Sequence, residues 1–293
     1  MRILLFAGII AVLLISGCTS PQESYSVSQD GTISYTNRPP VNYTEAVLKE
    51  DGNATLYKLT FDSKGQKIYA LLSVPKDSTK ARNGKVPAIF DLYGATMTKE
   101  GEYAGLGQDL VHMGFAVLII DQRGWGETKG TVPSLEQDYQ AFQKGEEPVQ
   151  HRMVYDGLRA YDILKSRPEV DASRIYAAGQ SMGGRYAMIA ASIEKGIAGA
   201  LIISSAGYDF GQQPAEVTRF LNSIDPNHYV AGISPRPLIM VQSKVDTVVS
   251  YESAKRTYDL AGEPKKLLTT ESKDHSYIRA DMKEIIAEEL ENW

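Results

Sequence analysis

A single cysteine, Cys18, stands in the chain of 293 residues. No internal disulfide can form, so the fold must be held by a packed core and not by covalent staples. Positive charge is not in excess: 31 Lys and Arg face 36 Asp and Glu, a formal net charge of −5, and no long basic run occurs. That balance argues against a nucleic-acid partner. Histidine is sparse. His112, His151, His228 and His275 are scattered, with neither an HxxEH nor a CxxC pattern. A dedicated zinc site therefore has no support, and neither a metal nor an organic cofactor is expected. The apolar run "ILLFAGIIAVLLI" at 3–15 falls short of the roughly 20 residues a membrane-spanning helix needs. No internal repeat is present, which sets aside solenoids and propellers.

What the N-terminus does have is Arg2, that short apolar run and then "ISGC", residues 15–18. This order suits a signal peptide. A small residue before a cysteine at the end of such a run resembles the lipobox of bacterial-type lipoproteins. The resemblance implies removal of residues 1–17, lipid on Cys18, and anchoring at the extracytoplasmic face of the cell membrane. Residues 18–54 are polar and carry Ser, Thr, Pro and Asn, and are expected to form a tether. Two sequons, at Asn42 and Asn53, fall within it.

From Thr55 the pattern becomes regular. "TLYKLTF" and "KIYALLSVP" flank a Gly-containing turn and predict an antiparallel hairpin. Buried-strand runs then alternate with helical spacing: "VPAIFDLYG", "FAVLIID", "RIYAAGQ", "GALIISSAG", "RPLIMVQSK" and "KKLLTTES" are separated by amphipathic segments. The expected fold is α/β, a mostly parallel, doubly wound sheet over 55–293 with helices on both faces. Segments 122–150 and 208–234 break the alternation. Both follow strands, so both are expected at the C-terminal edge of the sheet, where such folds bind ligands. Their Trp125, Tyr139, Phe142, Tyr208, Phe210, Phe220 and Tyr229 are expected to give a pocket an apolar lining. Glu127, Glu146, Glu147, Asp209 and Glu216 add acids.

The sharpest local signal is "GQSMG", residues 179–183, between a strand-like and a helix-like run. A G-x-S-x-G turn in that context is a nucleophile elbow, which exposes Ser181 and aims the backbone N–H of Met182 at a developing oxyanion. A serine hydroxyl needs a base. For this elbow the partners follow in chain order serine, acid, histidine. His275 in "SKDHSY", after the last strand, is preferred to His228 within the second rim segment. Asp246, directly after "LIMVQSK", is preferred to Asp274, which neighbours the histidine. A second oxyanion donor is expected from "DLYGATMTKEG": the N–H of Gly94 or Ala95, or the phenol of Tyr93.

With these residues in place the chain resembles the α/β-hydrolase superfamily over 55–293. "DQRGWGET" (121–128) is similar to the D-x-R-G-x-G segment of these enzymes. "AYDILKSRPEVDASRIYAAGQSMGG", "SKVDTVV" and "KDHSY" are similar to the dienelactone hydrolase, acetyl xylan esterase and prolyl oligopeptidase branch. The tyrosine in "DLYGAT" resembles the oxyanion-hole tyrosine of the prolyl oligopeptidases. The resemblance implies a serine hydrolase acting on a small ester through an acyl-enzyme. A peptidase using the same residues on short peptides is the alternative, and a non-catalytic surface binding lipoprotein is the second.

Overall fold

The computed structural model describes residues 23–293. The signal segment and Cys18 lie outside the described residues. Nine strands form one sheet in the order β11-β10-β9-β8-β6-β7-β5-β4-β3. They are β3 (Tyr43–Glu50), β4 (Ala54–Ser63), β5 (Gln66–Pro75), β6 (Val86–Leu92), β7 (Ala116–Ile120), β8 (Val170–Gln180), β9 (Ala200–Ile203), β10 (Leu238–Ser243) and β11 (Lys265–Thr270). From β7 to β11 every neighbouring pair is parallel, whereas β3, β4 and β5 add an antiparallel flank. β6 and β7 are buried throughout, as expected of apolar strands covered on both faces.

Alternation along the strands supplies two cores. Phe90, Leu118, Ala177 and Ile202 face α4 (Val149–Ser166) and α5 (Ser181–Ile193). Ile89, Ile119, Ala178 and Ile203 face α2 (Gln108–His112) and α9 (Arg279–Leu290), whose Leu110, Met282 and Ile286 are buried there. From β6 the chain crosses to β7 on one side, and from β7 it crosses back to β8 on the other side of β6. The gap between the C-terminal ends of β6 and β8 is thus a switch point, the place such sheets offer to a ligand.

The segment expected as a tether is structured from residue 24 onward. β1 (Ser24–Val27) and β2 (Ile33–Thr36) form a hairpin, and β3 pairs with β4 as the outermost strand of the main sheet. The hairpin is stapled down by His151 of α4. That buried imidazole is hydrogen-bonded to the Tyr25 hydroxyl at 2.6 Å and to Ser223 Oγ at 2.7 Å. Burial pushes its titration down to about 3, so it is neutral at physiological pH. Tyr25 also packs on Tyr35, and Arg219 donates to the carbonyls of Val27 and Ser28.

The two rim segments carry α3 (Leu135–Gln143), α6 (Ala215–Ile224) and α7 (Pro226–Tyr229). Tyr139, Phe142 and Phe210 pack around Phe220 in a small cluster of their own. Between β6 and β7, α1 (Lys99–Glu102) is joined to α2 by a π-helical turn at Tyr103–Gly107, in which Gly105 leaves helical geometry.

Candidate active site

Ser181 follows β8 directly and opens α5, in the left-handed region at φ +49°. A non-glycine residue there costs on the order of 1–3 kcal/mol and persists only where surroundings over-determine it. Two glycines make the turn possible. A Cβ on Gly183 would lie 1.8 Å from the Leu92 carbonyl oxygen, and one on Gly179 would lie 2.7 Å from the Gly183 oxygen. The elbow is therefore pressed against the end of β6 with no room for side chains. The Ser205 hydroxyl donates to the Ser181 carbonyl at 2.7 Å and fixes the turn further.

His275 lies between Ser181 and Asp246. Its Nε2 is 2.8 Å from Ser181 Oγ and its Nδ1 is 2.8 Å from Asp246 Oδ2. The Asp246 carboxyl also accepts from the backbone N–H of Val248 at 2.7 Å, that of Val249 at 3.0 Å, and Gln242 Nε2 at 3.1 Å. Burial alone would raise this carboxyl. The bonds from His275 and the two amides outweigh it and hold the acid below its ordinary range. A carboxylate so held fixes the imidazole with Nδ1 protonated and leaves Nε2 free to accept the serine proton.

The competing residues stand elsewhere or stand free. His228 of α7 is hydrogen-bonded to Thr32 Oγ1 at 2.9 Å and belongs to the hairpin staple. Asp274 lines the cleft over Ser181, and its backbone N–H donates to Ser272 Oγ. No bond joins its carboxyl to His275 among the described residues.

Tyr93 corrects one expectation. Its phenol is fully buried and donates to Asp121 Oδ1 at 2.7 Å while accepting from the Gln122 amide at 3.2 Å. Burial first, then the Asp121 carboxylate, push its titration far up. The hydroxyl is committed to the interior and cannot serve an oxyanion at Ser181. Asp121 is the hub that commits it: the same carboxylate accepts from the Lys99 backbone at 3.0 Å, Lys99 Nζ at 2.8 Å and the Glu127 amide at 2.8 Å. The "DQRGWG" segment is thus structural here, and Arg123 is likewise paired with the buried Asp156 at 2.7 Å.

The loop beyond Tyr93 does reach the serine. A Cβ on Gly94 would sit 3.3 Å from Ser181 Cβ. Thr96 holds φ +68°, a left-handed conformation that a β-branched residue rarely adopts. Gly94, Ala95, Thr96 and Met97 line one side of a cleft of about 440 Å³, with Val248, His275 and Ser276 opposite. Met182 occupies the first turn of α5, where backbone N–H groups have no partner within the helix. The rim aromatics expected to line this cleft do not. Tyr139, Phe142, Phe210 and Phe220 border separate clefts beside α3 and α6, and Trp125 packs against the opposite core.

An acetyl xylan esterase family model matches residues 39–230, more than half of the chain. The chain belongs to the acetyl xylan esterase (AXE1) family. The segment matched to that family contains Gly94 and Ser181 and stops before Asp246 and His275. Among solved structures, the acetyl xylan esterase from Paenibacillus sp. R4 superposes with a TM-score of 0.72 at 21% identity, covering 88% of this chain and 90% of that one. Acetyl xylan esterase 1 from Thermoanaerobacterium sp. JW/SL YS485 gives 0.69 at 18% identity, with 87% of each chain covered. At these identities the likeness is one of fold, the α/β-hydrolase fold. A curated relative, the uncharacterized protein YfhR of Escherichia coli O157:H7, is 29% identical over 167 residues. The family member described here spans about half the length of the curated relatives it matches.

Proposed function

We propose that the chain is a carboxylic ester hydrolase that cleaves short-acyl esters, acetyl esters foremost, through an acyl-enzyme on Ser181. The observation that carries this reading is the hydrogen-bonded line Ser181–His275–Asp246, opening on the cleft at the β6–β8 switch point. His275 Nε2 takes the hydroxyl proton as Ser181 Oγ attacks the ester carbonyl. The oxyanion is met by the Met182 N–H at the head of α5 and by backbone of the loop at Gly94 and Ala95. The protonated imidazole then gives its proton to the leaving alcohol, and water, activated the same way, releases the acid. Asp246 keeps the imidazole in the one tautomer that can do this.

Small acyl groups are favoured by the close approach of Gly94 to Ser181, where a Cβ would already sit 3.3 Å from the serine Cβ. A peptidase gripping a free amine needs an acid in the cleft; the acid that lines it is Asp274, next to His275, and the rim acids are engaged or lie elsewhere. Glu127 is paired with Lys58 and Lys99, Glu147 takes the Tyr35 hydroxyl, Asp209 faces Arg256 at 3.6 Å, and Glu216 borders a different cleft. The expected result is a higher kcat/KM for acetyl than for longer acyl esters. An unactivated acetyl ester should in turn exceed aminoacyl and prolyl p-nitroanilides. Faster turnover of the anilides than of that ester would replace this reading by the peptidase.

The proposal includes lipid anchoring at Cys18 on the extracytoplasmic face, supported by "LLISGC" and by the lack of any other cysteine. Intact mass of membrane-extracted protein should give a chain beginning at Cys18 with thioether lipid. A free thiol at residue 18 would discard the anchor.

A further inference from the structure

Beneath the elbow, strands β6 and β8 end in polar side chains that turn toward α1. Asp91 is the last inward-facing residue of β6 and is fully buried; its carboxyl has no side-chain N–H or cation to accept from among the described residues, and the Leu92 backbone N–H is the donor beside it. Its neighbour is Glu102 of α1, 1% exposed. Glu102 accepts from Nε2 of the buried Gln180, at 2.5 Å on one of its oxygens. The other end of the Gln180 amide, Oε1, accepts from the Tyr277 backbone N–H at 2.7 Å. Gln180 precedes Ser181, and Tyr277 lies two residues after His275. One side-chain amide therefore joins the serine's turn to the histidine's loop.

Two ionised carboxylates cannot stand in contact without a donor between them in a buried site. Each would lose its hydration and repel the other. A single proton resolves both problems by forming one charge-assisted O–H···O⁻ bond, with the remaining charge left to accept from Gln180. No cation among the described residues is paired with either acid. Lys99, on the same helix, directs its ammonium to Asp121, Glu100 and Glu127. From the loop before α9 the group facing the pair is Tyr277, whose hydroxyl donates to Asp109 at 2.8 Å, and Asp109 is in turn paired with Arg279 and Lys283. From β8 it is the neutral Gln180.

We propose that Asp91 and Glu102 share one proton and that the pair, acting through Gln180, is a positioning element that holds the His275 loop in register with Ser181. The positioning role rests on the reading of Ser181 and His275 as nucleophile and base; the shared proton does not. For both acids burial raises the titration, to about 6 at Asp91 and well above the usual range at Glu102, where the neighbouring Asp91 charge adds to it. The folded state thus keeps a proton that the unfolded chain releases near pH 4. Stability from this source is full below that pH and is lost as pH rises through the folded-state values.

The decisive variant is Glu102→Gln. Its amide can donate to an ionised Asp91 and accept from Gln180, so it reproduces the geometry without the shared proton. Melting temperature is measured from pH 4 to 9 for the wild type and E102Q. The wild-type curve should descend with pH relative to that of E102Q, and parallel curves would overturn the shared proton whether or not the protein hydrolyses anything. Turnover of an acetyl ester is then followed against pH. E102Q should keep kcat within about threefold near neutrality and lack the alkaline decline of the wild type. Glu102→Leu, which leaves Gln180 unheld, should lose about 10²-fold in kcat with KM nearly unchanged, the scale of a small misplacement of reacting groups. If E102L fails to fold, the alkaline limb of E102Q decides alone. Wild-type kcat and pH profile in E102L, or identical limbs in E102Q and wild type, would overturn the positioning role. Absence of hydrolysis by the wild type would instead overturn the ester hydrolase reading.

Discussion

Ser181→Ala should reduce ester turnover by about 10⁴- to 10⁶-fold, the range seen when the nucleophile of a serine hydrolase is removed and only binding and oxyanion donors remain. The expectation follows from the placement of one atom. Ser181 Oγ lines the cleft and lies 2.8 Å from His275 Nε2, and alanine leaves the base without that hydroxyl to deprotonate. The fold should tolerate the change. Alanine meets the same strain at φ +49° as serine does, and the bonds that set the turn run through the backbone carbonyl of residue 181. Three measurements belong together: kcat on an acetyl ester, covalent labelling by a fluorophosphonate, and the melting temperature. Wild type should label once and S181A not at all, with little change in melting. A variant that still turns over ester at a near-native rate would remove Ser181 from the chemistry.

Asp246→Asn should cost about 10⁴-fold in kcat, and the structure gives the reason atom by atom. Every group on this carboxyl is a donor. Val248 and Val249 donate to Oδ1, while His275 and Gln242 approach Oδ2. Whichever way an asparagine is turned, its NH₂ meets a donor. The imidazole escapes the clash by moving its proton to Nε2, and it can then no longer accept from Ser181. Asp274→Asn changes no bond to the imidazole and should stay within about twofold. The comparison is made on kcat and KM together, since loss of the correct tautomer lowers kcat and leaves KM close to its original value. If D274N were the damaged variant and D246N nearly intact, the acid would have to be reassigned.

How far the sequence foretold this site can be argued from single residues. "GQSMG" between a strand and a helix carries its own geometry, because only glycine fits where Gly183 meets the Leu92 carbonyl. His275 and Asp246 were legible from chain order, since each follows a strand that the apolar runs mark clearly. Tyr93 was not. A phenol next to the elbow is equally compatible with an outward and an inward rotamer, and the choice is made by Asp121, 28 residues away. The rim aromatics misled for a related reason: composition says that Tyr139, Phe142 and Phe220 need apolar company, and they find it in one another. Asp91 left a trace that could have been followed. It is the one carboxylic acid in "VPAIFDLYG", at a position whose alternation with Ile89 and Tyr93 points inward.

The outermost strand of a sheet and a flexible linker are written in the same residues. Tyr43–Glu50 is exposed along nearly its whole length, carries Glu45, Lys49 and Glu50, and shifts register between Val47 and Lys49. Charge and irregularity at that place discourage a foreign chain from pairing. The strand beneath lacks the irregularity: β4 is ten residues of even register against β5, with Leu59 and Phe61 buried and Lys58 and Asp62 its charged residues. A shortened protein begun at residue 55 would therefore retain the elbow, the base and the acid, and would also present a long, regular, unpaired row of amides and carbonyls to its own copies. Such a piece is poised to self-associate edge to edge. The polar stretch ahead of it acts as an intramolecular guard against aggregation.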